Sequence, residues 1–140
     1  MVPHKFTSKE IQAGRQFVIS RIAQTRLRGL TNFYGNPFVT YQELVTEASD
    51  GKYHIEDEYD GMRAGILAGS LSEQEHDLGG PLLSAVVVAA DTKRPGHGFY
   101  ALAGSLGMLQ AQGNYDVKGA AELVFWNQQV LACVKKYGRK

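Results

Sequence analysis

Cations, an imidazole and two glycines converge in the segment Asp91-Thr92-Lys93-Arg94-Pro95-Gly96-His97-Gly98-Phe99. Lys93, Arg94 and His97 bring positive charge and hydrogen-bond donors, and Gly96 and Gly98 let a ligand come close to the backbone. That chemistry suits a phosphate group, and it also suits a surface turn tightened by Pro95. The phosphate-cradling pattern G-x-x-x-x-G-K-[ST] is absent. Asp91 and His97 have the chemistry of an acid–base pair, with Ser84 or Ser105 as nucleophile. No G-x-S-x-G elbow surrounds either serine, so hydrolysis is the least supported of the readings.

A second cluster is acidic: His54-Ile55-Glu56-Asp57-Glu58-Tyr59-Asp60. Glu56 and Asp60, one helical turn apart, have the chemistry to share a divalent cation. The spacing matches neither an EF-hand loop nor H-E-x-x-H, and the simpler reading is the acidic start of a helix. No metal and no cofactor is expected. Cys133, the one cysteine, falls on an apolar helix stripe and is expected in the core, where it allows neither an intrachain disulfide nor a cysteine-based zinc site. Trp126 reads as a core anchor rather than a platform for stacked bases. His4 and His76 sit among polar neighbours and fit no pattern.

The elements that must position these groups are marked by caps and periodicity. Thr7 with Glu10, and Thr40 with Glu43, have capping-box spacing. They predict helices over 8–28 and 41–48, the second stopped by Ser49-Asp50-Gly51. Turn residues occupy 31–37, Phe38-Val39 is a short extended piece, and 52–55 is a turn or short strand. A helix over 56–76 carries Tyr59, Met62, Ile66 and Ser70 at helical spacing, with small residues at 64, 65, 68 and 69. The run 82–90, Leu-Leu-Ser-Ala-Val-Val-Val-Ala-Ala, reads as a central buried strand. Its amides then need partners from 38–39, 52–55 or a segment near 99. A polar loop over 91–98 follows, then a helix with Phe99, Leu102, Ala103 and Leu106 that ends near Gly107 or Gly113, and a last helix over 119–137. The order implies an α+β, helix-rich single domain with a small β-sheet.

Charge is spread unevenly along the 140 residues. Positions 1–42 carry six Lys/Arg and one acid, 43–77 carry ten acids and two bases, and 78–140 carry seven bases and three acids. The acidic centre offers a face for a basic partner, and the basic flanks offer contacts for phosphate. A chain with 44% apolar and 21% charged residues is not disordered, collagen-like or charge-dominated. The low-charge run 78–90 is too short to cross a bilayer. No apolar core follows the N-terminal cations, so no signal peptide is expected, and a reducing, cytoplasmic setting is the simplest.

Thr40-Tyr41-Gln42-Glu43-Leu44, Arg63-Ala64-Gly65, Pro81-Leu82-Leu83 with Val86-Val87-Val88, and the glycine-bearing loop together resemble the winged-helix half of alkyltransferases and alkyltransferase-like proteins. The resemblance spans about 38–104. It implies a winged-helix-like core packed by the helices at 8–28 and 119–137. Arg63 would take the place of the arginine that props open a flipped nucleotide, and Lys93, Arg94 and His97 would form the wing. The family's Cys-His-Arg is missing: Ser84-Ala85-Val86 follows the proline segment, so alkyl transfer is excluded. The block at 81–88 followed by 95–99 is also similar to small bacterial and phage proteins. The expected function is a non-catalytic module that contacts nucleic acid through Arg63, Lys93, Arg94 and His97. The alternative is a protein-interaction module, a regulator or inhibitor, that uses Glu56, Asp57, Glu58 and Asp60 within 43–77. A small metal-dependent nuclease or hydrolase is the third. Carboxylates at the start of a recognition helix repel phosphate, which counts against the first reading. The oligomeric state is left open.

Overall fold

The computed structural model describes residues 1–110 and 114–140. Helix α1 is Ser8–Ile22, and its capping box is complete. Thr7 Oγ1 accepts from the Glu10 amide at 3.1 Å, and the Glu10 carboxylate accepts from the Thr7 amide at 2.8 Å. The helix stops at Ile22 and does not run on to 28. Thr25 is fully buried; its hydroxyl donates to the Ile22 carbonyl, and its own carbonyl accepts from the Arg139 amide. Residues 26–34 then form a hairpin of β1, Arg26–Arg28, and β2, Asn32–Tyr34, paired Arg26 to Tyr34 and Arg28 to Asn32. Gly29 takes the left-handed conformation in the turn, at φ 68°. Arg-Leu-Arg has a period of two as well as helical propensity, and the contact with Arg139, more than a hundred residues away, is invisible to local pattern.

Strand β3, Val39–Thr40, leads into α2, Tyr41–Ala48, where the second capping box is also complete. The long helix α3 is Glu58–Asp77, N-capped by the Asp57 carboxylate on the Asp60 amide. It buries Ala64, Leu67, Ala68, Leu71, Ser72 and Glu75. The stripe of Tyr59, Met62 and Ile66 therefore points outward.

The run 82–90 corrects the expected strand. It is a 3-10 turn, Leu83–Val86, followed by a two-residue strand β4, Val87–Val88, parallel to β3 with Val39 opposite Val87. The segment is as buried as a central strand would be. Side chains bond the backbone of its first part, and a neighbouring strand pairs only with Val87–Val88. Gln129 accepts from the Leu82 amide at 2.9 Å, Ser72 from the Ser84 amide at 2.8 Å, and the Trp126 indole donates to the Ala85 carbonyl at 2.8 Å. A short apolar run cannot be assigned to strand or helix by pattern alone, and these long-range donors and acceptors decide it. Of the expected partners, the segment at 38–39 is the one used in part: Val39 pairs, with Thr40 in place of Phe38.

Residues after β4 do not return as a hairpin. They close a tight turn, Ala89 N–H to Arg94 C=O and Lys93 N–H to Ala89 C=O at 2.9 Å each, and enter α4, His97–Ser105. The expected polar loop over 91–98 is thus shorter, because His97 and Gly98 already belong to a helix. Gly107, at φ 76°, follows the end of α4; the alternative end at Gly113 lies outside the described residues. Helix α5 is Ala120–Tyr137. The 3-10 turn packs between α3 and α5, and α1 lies against α2 and α3. A cluster of buried apolar side chains, from Val2 to Val134, joins α1 to α5. The architecture is a helix-rich α+β domain with short strands. Among the described residues no helix is long and apolar enough to cross a membrane.

Candidate functional site

The four expected nucleic-acid contacts do not stand together as free cations. Arg63 holds the N-terminal segment: Nη1 donates to the Val2 carbonyl at 2.9 Å and Nη2 lies 3.1 Å from His4 Nε2. Arg94 is half-buried and reaches the Val117 carbonyl. His97 Nε2 accepts from the Tyr115 amide at 3.0 Å, and its ring meets that of Tyr115 edge-on. Lys93 is exposed, and its backbone is left-handed, at φ 59°.

The acidic cluster divides in two. Glu56, Asp57 and Glu58 are exposed, but Asp60 is only 2% exposed and is removed from any interaction face. Its carboxylate accepts from the Val2 amide at 2.8 Å and the Glu56 amide at 3.0 Å. These two bonds, Val2 first, hold its pKa below the ordinary carboxyl value against the effect of burial. Each Asp60 oxygen thus carries a backbone amide, and the side chain serves to tie the N-terminal segment to the start of α3. Asp91 accepts from the Thr92 amide and has no bond to His97 among the described residues. Ser84 is buried against Ser72, Oγ to Oγ 2.6 Å, and is structural. Cys133 lies in the core as expected, its thiol donating to the Leu82 carbonyl and pushed upward in pKa by burial.

What the fold does assemble is a groove of about 650 Å³ between α3 and α4. Met62, Gly65, Ile66 and Gly69 of α3 form one wall, and Gly96, His97 and Leu102 line the other. Met62 is 69% exposed, Ile66 51% and Tyr59, one helical turn before, 68%. Gly61, Gly65 and Gly69 recur every fourth residue. A side chain added at Gly61 or Gly65 would meet nothing within 4 Å. Tyr41 lines the same groove; its hydroxyl accepts from the Gly96 amide at 2.8 Å, which leaves the hydroxyl proton to donate. Burial raises the Tyr41 pKa, only partly offset by that amide, so it stays a neutral donor at physiological pH.

Of the residues singled out by sequence for chemistry, His97 lines this groove with Gly96, Gly98 and Ser84, while Arg63, Lys93 and Arg94 do not. Tyr41, Met62, Ile66 and the glycines were read as helix and spacing, not as a site. The signal was present: a second apolar stripe on α3, offset from Ala64, Leu67 and Leu71, is more than one core face requires. No protein-family profile, curated protein or solved structure matches the chain.

Proposed function

We propose that the protein is an interaction module that takes the apolar side of a basic amphipathic helix into the groove between α3 and α4. One observation carries the reading. The outward face of α3 is apolar in its middle and acidic at both ends. Glu58 precedes Met62 by one turn, and Glu73 and Asp77 follow Gly69 by one and two turns on the same face. All three acids are exposed. The face from Glu58 to Glu73 is roughly 22 Å long, about four helical turns of a partner. Glycines on its floor admit a partner's backbone closely, and the Tyr41 hydroxyl offers a hydrogen bond to it. Contact with nucleic acid through the 93–97 loop has less support, because Arg63, Arg94 and His97 are engaged within the chain.

The test uses a designed helical peptide of leucine and lysine, roughly four turns long. Titration calorimetry is expected to show saturable binding, lost in Gly65→Leu, which fills the groove, and in Met62→Glu. A control peptide with glutamate in place of lysine is expected not to bind. Equal binding to the Gly65→Leu variant, or equal binding of the glutamate peptide, overturns the reading.

A further inference from the structure

We infer that the outer face of the β1–β2 hairpin, extended by Arg139, is a contact surface for single-stranded nucleic acid. This surface shares no residue with the groove, and the inference does not depend on it. In both strands the middle residue, Leu27 or Phe33, turns toward the core, and the flanking residues turn to solvent. Arg26, Arg28, Asn32 and Tyr34 therefore share the outer face. Arg139 pairs with Arg26 as a parallel bridge, so the two side chains leave the ladder on the same side. All three arginines are exposed. None has a carboxylate within salt-bridge distance among the described residues, whereas Arg15, Arg21 and Arg63 each do. Three unneutralised guanidinium groups on one ribbon form an anion-seeking surface.

Tyr34 narrows the choice of anion. Tyr34 is 45% exposed, and the guanidinium carbons of Arg26 and Arg28 lie 5.1 and 5.3 Å from its ring centroid. Guanidinium groups held on an aromatic ring, with the ring still open to solvent, combine phosphate contacts with a stacking surface for a base. An acidic peptide would use the charges but not the ring. The bases of a duplex are stacked already and would leave the ring unused. Leu30 at the hairpin tip is 94% exposed and adds an apolar edge to the same ribbon.

Fluorescence anisotropy of a labelled oligothymidylate, roughly ten nucleotides long, tests the assignment. With three phosphates engaged, log affinity is expected to fall against log salt with a slope near −2, about 20-fold weaker from about 50 to about 200 mM. Arg26→Gln or Arg139→Gln should each make the slope shallower by about 0.7. Tyr34→Ala should weaken binding at least about fivefold, and Tyr34→Phe should restore it. Lys9→Gln removes an equal charge in the first turn of α1, roughly 20 Å along that helix from the end that leads to the hairpin, and should leave affinity unchanged. If a hairpin variant fails to fold by circular dichroism, Arg28→Gln, exposed and outside the bridge to Arg139, replaces it. Four results overturn the proposal: no binding, indifference to Arg139→Gln and Tyr34→Ala, equal binding of polyglutamate, or tighter binding of a duplex of the same length.

Discussion

Identical side chains meet different fates according to what the fold brings beside them. Glu56, Asp57, Glu58 and Asp60 are one acidic run by sequence, yet only Asp60 is drawn inward, because the Val2 amide reaches it from the N-terminal segment. Gly80 looks like a helix breaker before Pro81. In the structure a Cβ there would collide with the Glu75 carboxylate and the Lys136 ammonium, so the residue is small to make room for an ion pair. Gly65 is the opposite case: it stands in mid-helix with open space above it. Gly65→Ala is expected to raise stability by about 0.5–1 kcal/mol, since alanine restricts the unfolded chain and meets no clash. A denaturant midpoint that falls instead would show that the backbone of α3 is strained at this position.

Elements were legible where their signals are local. Both capping boxes were readable from four residues each, and both form with the expected bonds. The bond from the Thr40 amide, then the Arg21 guanidinium, lowers the Glu43 pKa despite partial burial. Helices α2, α3 and α5 lie within two residues of their expected limits. The failures fall where a distant group completes the element. The hairpin at 26–34 is held by Arg139, and the 3-10 turn at 83–86 by Gln129, Ser72 and Trp126. The turn after β4 carries a strain that sequence conceals, for Lys93 is left-handed at φ 59° without being glycine. Lys93→Gly is expected to stabilise the protein by about 0.5 kcal/mol after allowing for the greater freedom of glycine in the unfolded chain. Thermal unfolding measures this, and a lower melting temperature would refute it.

At the scale of the whole molecule, one buried carboxylate ties three helices together. Glu75 of α3 is fully buried and accepts from Arg15 Nη2 of α1 at 3.0 Å, and from Lys136 Nζ and the Tyr137 hydroxyl of α5 at 2.6 and 2.5 Å. Burial pushes its pKa upward, but the bonds from Lys136, Tyr137 and Arg15 together outweigh burial and hold it below the ordinary value. A lowered folded pKa means that this stabilisation is complete above the unfolded carboxyl value, about 4.3, and is lost as pH falls through the folded value. Glu75→Gln should cost about 3 kcal/mol at neutral pH, because it leaves two cations facing an uncharged amide. The gap from wild type should narrow below about pH 4. A gap independent of pH would show that the network is held by packing rather than charge.

The division between what was readable and what was not follows from range. Helix limits, caps, the apolar run at 82–90, buried in the structure as far as Val88, and an acidic α3 start depend on residues within a turn or two of each other, and composition and periodicity carry that information. The direction in which α3 turns its two apolar stripes, the sequestration of Asp60 and Arg63 by the N-terminal segment, the groove beside α4 and the arginine ribbon at 26, 28 and 139 each depend on contacts spanning tens of residues or more. Those contacts exist only after the core has closed, because packing energy, not local preference, selects which of two equally apolar faces is buried.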